Sequence, residues 1–144
     1  MAFDLFLQAR HQVTFFDTVK PMLKQLHSHY SLGVLTNGNA DISRLELGHF
    51  FDFAFTAEQL NASKPASDHF IAAQKYSGAS FDQIIHIGDH IEHDIAAALE
   101  AGCHAIWFNP KHQCHPNQLT AIQEVHCLSE IPAAIKCIEQ ILAF

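Results

Sequence analysis

The chain has 144 residues, 49% hydrophobic and 16% charged, so a packed core is feasible and disorder is excluded on composition. Its formal net charge of −7 leaves no basic stripe to neutralise phosphates, which argues against nucleic acid or an anionic membrane as partner. Four cysteines without a CxxC pair read as reduced thiols, and no apolar run reaches a membrane span or forms a signal peptide, so the expected location is cytoplasmic.

In chain order, Ala2 to Val13 reads as a helix with Phe3, Phe6 and Leu7 on one face. Val13 to Phe16 is an apolar lead-in to a second helix, from about Thr18 to Ser28. That helix has Val19, Met22, Leu23 and Leu26 at helical spacing and Pro21 in its first turn. Tyr30 to Leu35 is a strand ending in Thr36-Asn37-Gly38-Asn39. Asp41 to Leu47 is a short helix, and Phe50 to Thr56 an aromatic strand. Ser63-Lys64-Pro65 is a loop opening a helix from about Ser67 to Tyr76. Ile84 to Ile87 is a β-branched run interrupted only by His86, a strand buried on both faces. Gly88 breaks it, Asp89 stands just past its carboxyl end, and a helix runs from Asp94 to Ala101 with Gly102 as its C-cap. Ala105 to Phe108 is a further strand, and Pro132 to Leu142 an amphipathic helix with Ser129 as its cap.

Alternating strands and helices imply parallel pairing with right-handed crossovers, hence an α/β fold with a three-layer, doubly wound, Rossmann-like sheet. No GxGxxG follows any strand, so a dinucleotide site is a poor reading. Ligands of such sheets bind at the carboxyl ends of the strands, and three features fall on that edge. Thr36-Asn37-Gly38 offers a hydroxyl and backbone amides for phosphate oxygens, although an ordinary turn uses the same residues. Lys64, before Pro65, can neutralise a phosphoryl group or a carboxylate. Asp89 and Asp94 offer two carboxylates to a hard cation such as Mg2+, although a turn former and a helix N-cap would look alike.

In this order, VLTNGN, SKP and GDHIEHD resemble the second, third and fourth motifs of the haloacid dehalogenase superfamily, whose members are mostly phosphatases. The likeness is to the subgroup with a helical cap. It treats 1–144 as one core domain, with residues 1–14 a remnant of the cap and its linker. The resemblance implies that Thr36 and Lys64 are catalytic residues that bind phosphoryl oxygens together with Asn37 and Gly38. It also implies that Asp89 and Asp94 hold Mg2+, and that the substrate is a small phosphorylated metabolite. The family's nucleophile comes from a first motif, a strand ending in DxDxT, which is missing here. Asp4 follows too short a run and has Phe6 two residues on, and Asp17 has no partner acid. The first central strand and most of the cap are therefore expected to be absent, as in a truncated gene product. The chain is then expected to be inactive, with two apolar strands left unpaired.

Two other readings compete. One is a non-catalytic Mg2+-, phosphate- or partner-binding protein that forms a homodimer, or takes up a complementing chain, through those unpaired strands. The other is a zinc site in Lys111-His112-Gln113-Cys114-His115, with His104, although that spacing matches no standard zinc module. The aromatics Phe50, Phe51, Phe53, Phe55, Trp107 and Phe108 are assigned to the core alone.

Overall fold

Six parallel strands form one sheet between two layers of helices. The computed structural model describes residues 2–5, 13–38, 48–114 and 123–142. In chain order the elements are β1 (Ala2–Leu5), α1 (Val13–His27), β2 (Ser31–Thr36), β3 (Phe53–Thr56), α2 (Ala57–Leu60) and α3 (Asp68–Ser77). They continue with β4 (Ile84–Gly88), a π-helical segment Ile91–Ala96 that runs into α4 (Ala97–Ala101), β5 (His104–Phe108), β6 (Gln123–Val125) and α5 (Ile131–Leu142). The strand order is β3-β2-β1-β4-β5-β6, and every pairing is parallel. The doubly wound α/β architecture expected from the alternation is thus observed.

The chain start differs from expectation. Ala2–Leu5 is a strand, not a helix, and it fills the central position between β2 and β4 that was expected to be vacant. Ala2 pairs with Ser31 on one side and Ile84 on the other, and Asp4 with Gly33 and His86. The physical reason is the sheet itself. Two buried apolar strands carry backbone groups that need partners, and pairing on both sides compensates for a strand only four residues long. Since β2 and β4 are partnered, the proposed dimerisation through exposed central strands loses its basis.

Helix α1 also begins earlier than expected, so Pro21 lies in its interior, where it removes one helical hydrogen bond. Its expected core face holds: Val19, Met22, Leu23 and Leu26 are buried. They pack with Ile131, Ile135 and Ile138 of α5 against Leu32, Ile85, Ile87 and Ile106 of the sheet. Tyr30 joins this layer to α5 through a 2.5 Å hydrogen bond from its hydroxyl to Glu139 Oε1. Burial, then the hydrogen bond and charge of Glu139, push the phenol up to about 12. The neutral phenol is favoured in the folded chain, so its contribution holds below the ordinary tyrosine value of ~10 and fades as pH rises through about 12. Tyr30→Phe is expected to cost about 1 kcal/mol in urea unfolding at neutral pH, a difference that shrinks in strong alkali.

The opposite face packs Phe70 and Ala73 of α3 and Ile95, Ala97 and Ala98 against Leu35, Phe53, Ile84, Ala105 and Trp107. Strand β4 is buried along its whole length, as its near-continuous isoleucine run implied. Gly102 caps α4 with φ of 96°, a left-handed conformation that glycine adopts without strain. The strand expected over 50–56 is preceded by a 3-10 turn, Gly48–Phe50, and starts at Phe53. Strand β6 and helix α2 were not anticipated. Helix α2 opens with a Thr56–Gln59 capping box. The helix expected over Asp41–Leu47 lies outside the described residues.

Candidate active site

The site lies where β2 and β4 end on the same edge of the sheet, beside β1. Strand β2 ends at Thr36, which is buried, and the chain turns at once: the Gly38 amide donates to Thr36 Oγ1 over 2.9 Å. That bond uses the Gly38 amide but leaves the Thr36 hydroxyl hydrogen available to donate. Behind the turn, the Thr36 carbonyl meets His69 Nε2 at 3.0 Å. His69 is fully buried in the first turn of α3.

Asn37 has partners within the protein. Its side chain clamps the backbone of Lys64, accepting from the Lys64 amide at 2.7 Å and donating to the Lys64 carbonyl at 3.1 Å. This pair of bonds ties the loop 63–65 to the end of β2, next to a cis peptide between Lys64 and Pro65. Lys64 thereby turns inward, and only 3% of it is exposed. Its ammonium donates to the Leu35 carbonyl at 3.1 Å and forms a short ion pair with Asp94 Oδ1.

Asp94 is the hub. It lies in the π-helical segment after β4 and is 2% exposed. Oδ1 takes the Lys64 ammonium and also His86 Nε2, 3.0 Å away. Because a carboxylate can only accept, that ring nitrogen carries the hydrogen. Oδ2 accepts from the His90 amide at 3.1 Å. Burial pushes the acid upward, but the hydrogen bond and charge of His86, then the charge and hydrogen bond of Lys64, outweigh it. The carboxyl is held well below the usual carboxylate range. The carboxylate lies against Gly88, where an added Cβ would overlap it, so that position takes no side chain.

Asp89, by contrast, is exposed. Its carbonyl accepts from the Trp107 indole at 3.1 Å, so Trp107 does more than fill the core. The structure therefore brings Thr36, Asn37, Lys64 and Asp94 together and sets Asp89 beside them at the strand end. Sequence reasoning missed His86, His69 and Trp107. For His86 the signal was present: it is the one polar residue in an isoleucine run.

Strand register places the Asp4 backbone relative to the ends of β2 and β4. Asp4 is level with Gly33 and His86, three positions short of Thr36 and Asp89. At ~3.3 Å per residue its backbone stands about 10 Å short of the carboxyl edge. The zinc reading gains nothing: among the described residues no three His, Cys, Asp or Glu side chains converge to hold a metal ion, and His115 lies outside them. Nor, among the described residues, is any helix long and apolar enough to cross a membrane.

Comparison with known proteins gives the family and the fold. Residues 4–108 match the model of the haloacid dehalogenase-like hydrolases. The chain is 38% identical over 90 residues to a 5-amino-6-(5-phospho-D-ribitylamino)uracil phosphatase of Escherichia coli (strain K12), covering 62% of this chain and 37% of that protein. It is 31% identical over 108 residues to a pyrimidine 5'-nucleotidase of Streptococcus pneumoniae (strain ATCC BAA-255 / R6), covering 71% of this chain and 46% of that one. A solved structure described as 2-haloacid dehalogenase from Pseudomonas syringae pv. Tomato DC3000 superposes with a TM-score of 0.81 at 38% identity, over 85% of this chain and 53% of the other. The chain thus spans between about a third and about half of the length of these relatives. With its sheet order, its strand-end motifs and a family match over most of its length, the chain belongs to the haloacid dehalogenase-like hydrolases.

Proposed function

We propose that this chain is a phosphatase-type domain that binds a small phosphomonoester at the β2/β4 edge without turning it over. The observation that carries the reading is the convergence of Thr36, the Asn37-clamped Lys64 and Asp94 at one strand end, with the Asp4 backbone three register positions short of Asp89. A phosphoryl group there would take a hydrogen bond from the Thr36 hydroxyl and feel the positive charge of Lys64. Asn37 acts through Lys64, by fixing its backbone.

Mg2+ fits this reading through Asp89. The cation keeps several waters and is commonly held by one or two carboxylates together with substrate phosphate. Asp89 presents an exposed carboxylate at the strand end, while its carbonyl is taken by Trp107. When bound, the cation would offset phosphate charge. Relatives named as phosphatases and nucleotidases support a phosphorylated small molecule as the ligand class.

The test has two arms. Hydrolysis of an aryl phosphate with Mg2+ by the purified chain is expected not to exceed that by Asp89→Asn. Turnover above this control overturns the claim of inactivity and makes Asp4→Asn and Asp17→Asn the next variants. Orthophosphate titration followed by calorimetry is expected to show saturable binding, weakened at least tenfold by Thr36→Val and by Lys64→Met, a loss of about 1.4 kcal/mol each. Absence of saturable binding by the unaltered, folded chain overturns the binding site itself.

A further inference from the structure

Two histidines at the same strand end have no part in holding the phosphoryl group. His90 and His93 stack their imidazoles face to face, with centroids 4.0 Å apart and planes at 11°. Backbone bonds fix the pair in place. The His90 amide donates to Asp94 Oδ2 at 3.1 Å, and His90 Nδ1 accepts from the His93 amide at 3.0 Å as the N-cap of the π-helical segment. A nitrogen that accepts carries no hydrogen, so the His90 ring bears its hydrogen on Nε2. His90 follows Asp89 directly and both are exposed, while His93 is half-buried. Capping alone needs only an acceptor, which asparagine, aspartate or serine supplies without a ring. Here the cap is an exposed aromatic ring backed by a second one, a flat π surface oriented before any ligand arrives.

We propose that the His90–His93 stack is a platform for a planar heterocyclic ring, so that the phosphomonoester bound at this edge carries such a ring on a sugar-sized spacer. The proposal deepens the reading above and rests on it for the phosphate end. Asp94 sets the spacing: one of its oxygens takes the His90 amide and the other the Lys64 ammonium. The root of the platform and the cation that faces the phosphoryl group are thus one carboxylate apart. A free phosphate reaches only the Lys64 end, whereas a nucleoside monophosphate spans both. Heterocyclic bases stack on imidazole as on other aromatic side chains, and the gain comes from the ring face, not from a pattern of edge donors and acceptors. The platform therefore selects a flat ring as a class and does not single out one base.

Calorimetric titration of the whole chain with adenosine 5'-monophosphate and with ribose 5-phosphate tests the platform, because the two ligands share sugar and phosphate and differ in the ring. The unaltered chain is expected to bind the nucleotide about tenfold more tightly. Two substitutions separate ring from cap. His90→Asn keeps an acceptor for the His93 amide and removes the ring, and the preference is expected to fall to about twofold or less. His90→Phe keeps a flat ring and gives up the acceptor, and is expected to retain a preference of about fivefold or more. In the NMR spectrum the imidazole protons of His90 and His93 are expected to move upfield with the nucleotide and not with ribose 5-phosphate. Equal affinity for the two ligands overturns the platform and leaves the phosphoryl site standing. A preference that survives His90→Asn, or one lost in His90→Phe, also overturns it, the first by placing the ring elsewhere and the second by assigning His90 an edge contact. Where His90→Phe does not fold, the imidazole shifts decide, and their absence overturns the platform. Failure of both ligands to bind the folded, unaltered chain overturns the platform and the phosphoryl site together.

Discussion

Asp94→Asn is expected to destabilise the chain by about 3–5 kcal/mol at neutral pH, read as a shift in the urea midpoint at unchanged slope. The magnitude follows from what the variant leaves behind. Lys64 is almost entirely buried, and its ammonium would face a neutral amide where it had a full negative charge. His86 Nε2–H would face an amide in place of a carboxylate. Removing one member of a buried pair costs far more than the pair itself contributes, because the desolvation of the survivor is no longer offset.

The pH dependence has a definite sign. The folded-state acid of Asp94 is depressed relative to an ordinary aspartate of ~3.9, chiefly by His86 and Lys64 against the opposing effect of burial. A depressed acid contributes stability that is fully present above its unfolded value and is lost as pH falls through the folded one. The gap in stability between the unaltered chain and Asp94→Asn should therefore be constant from pH 7 to about 5. It should begin to close below about 4, and keep closing with further acid. A gap that closes instead between pH 7 and 5 would contradict this assignment.

The sequence made the frame legible for reasons that can be named. Strand β4 stood out because Ile84, Ile85 and Ile87 face both helical layers, so neither face of the strand could be polar. The helix after it ended where Gly102 takes positive φ. The family motifs located the strand ends because chemistry at an open sheet concentrates there. Strand β1 was not legible, since Phe3, Phe6 and Leu7 fit a helical period and nothing in AFDL is β-branched. Its strand form comes from the two neighbours it pairs with, a tertiary effect that local propensity cannot carry. Strand β6, three residues long, is too short for any period to register.

At the site, residue types were legible and partners were not. Lys64 and Asp94 are 30 positions apart, and no spacing rule reports a contact of that range. The Asn37 side chain bonds the Lys64 backbone, and Asp94 bonds Lys64, His86 and the His90 amide, contacts that neither residue's place in the sequence announces. His86 reads as a flaw in an apolar strand until Asp94 is placed beside it.

Phe70→Ala tests whether that buried polar cluster depends on the core that surrounds it. Phe70 is fully buried in α3, and its ring meets the His86 imidazole edge to face, with centroids 5.1 Å apart and planes at 89°. Truncation to alanine leaves a cavity on the helical face of β4, and a cost of about 3–5 kcal/mol is expected in urea unfolding. The effect should not stop at packing. His86 sits between Phe70 and Asp94, so a void on one side gives the imidazole room to leave Asp94 Oδ1. Phe70→Leu refills most of the volume without the ring edge and should recover most of the stability. If the ring fixes His86, Phe70→Leu should still bind orthophosphate less tightly than the unaltered chain, with His86 ring-nitrogen shifts altered in the NMR spectrum. If instead Phe70→Leu restores stability, phosphate affinity and the His86 signals together, then volume alone holds the cluster, and the edge contact carries no separate weight.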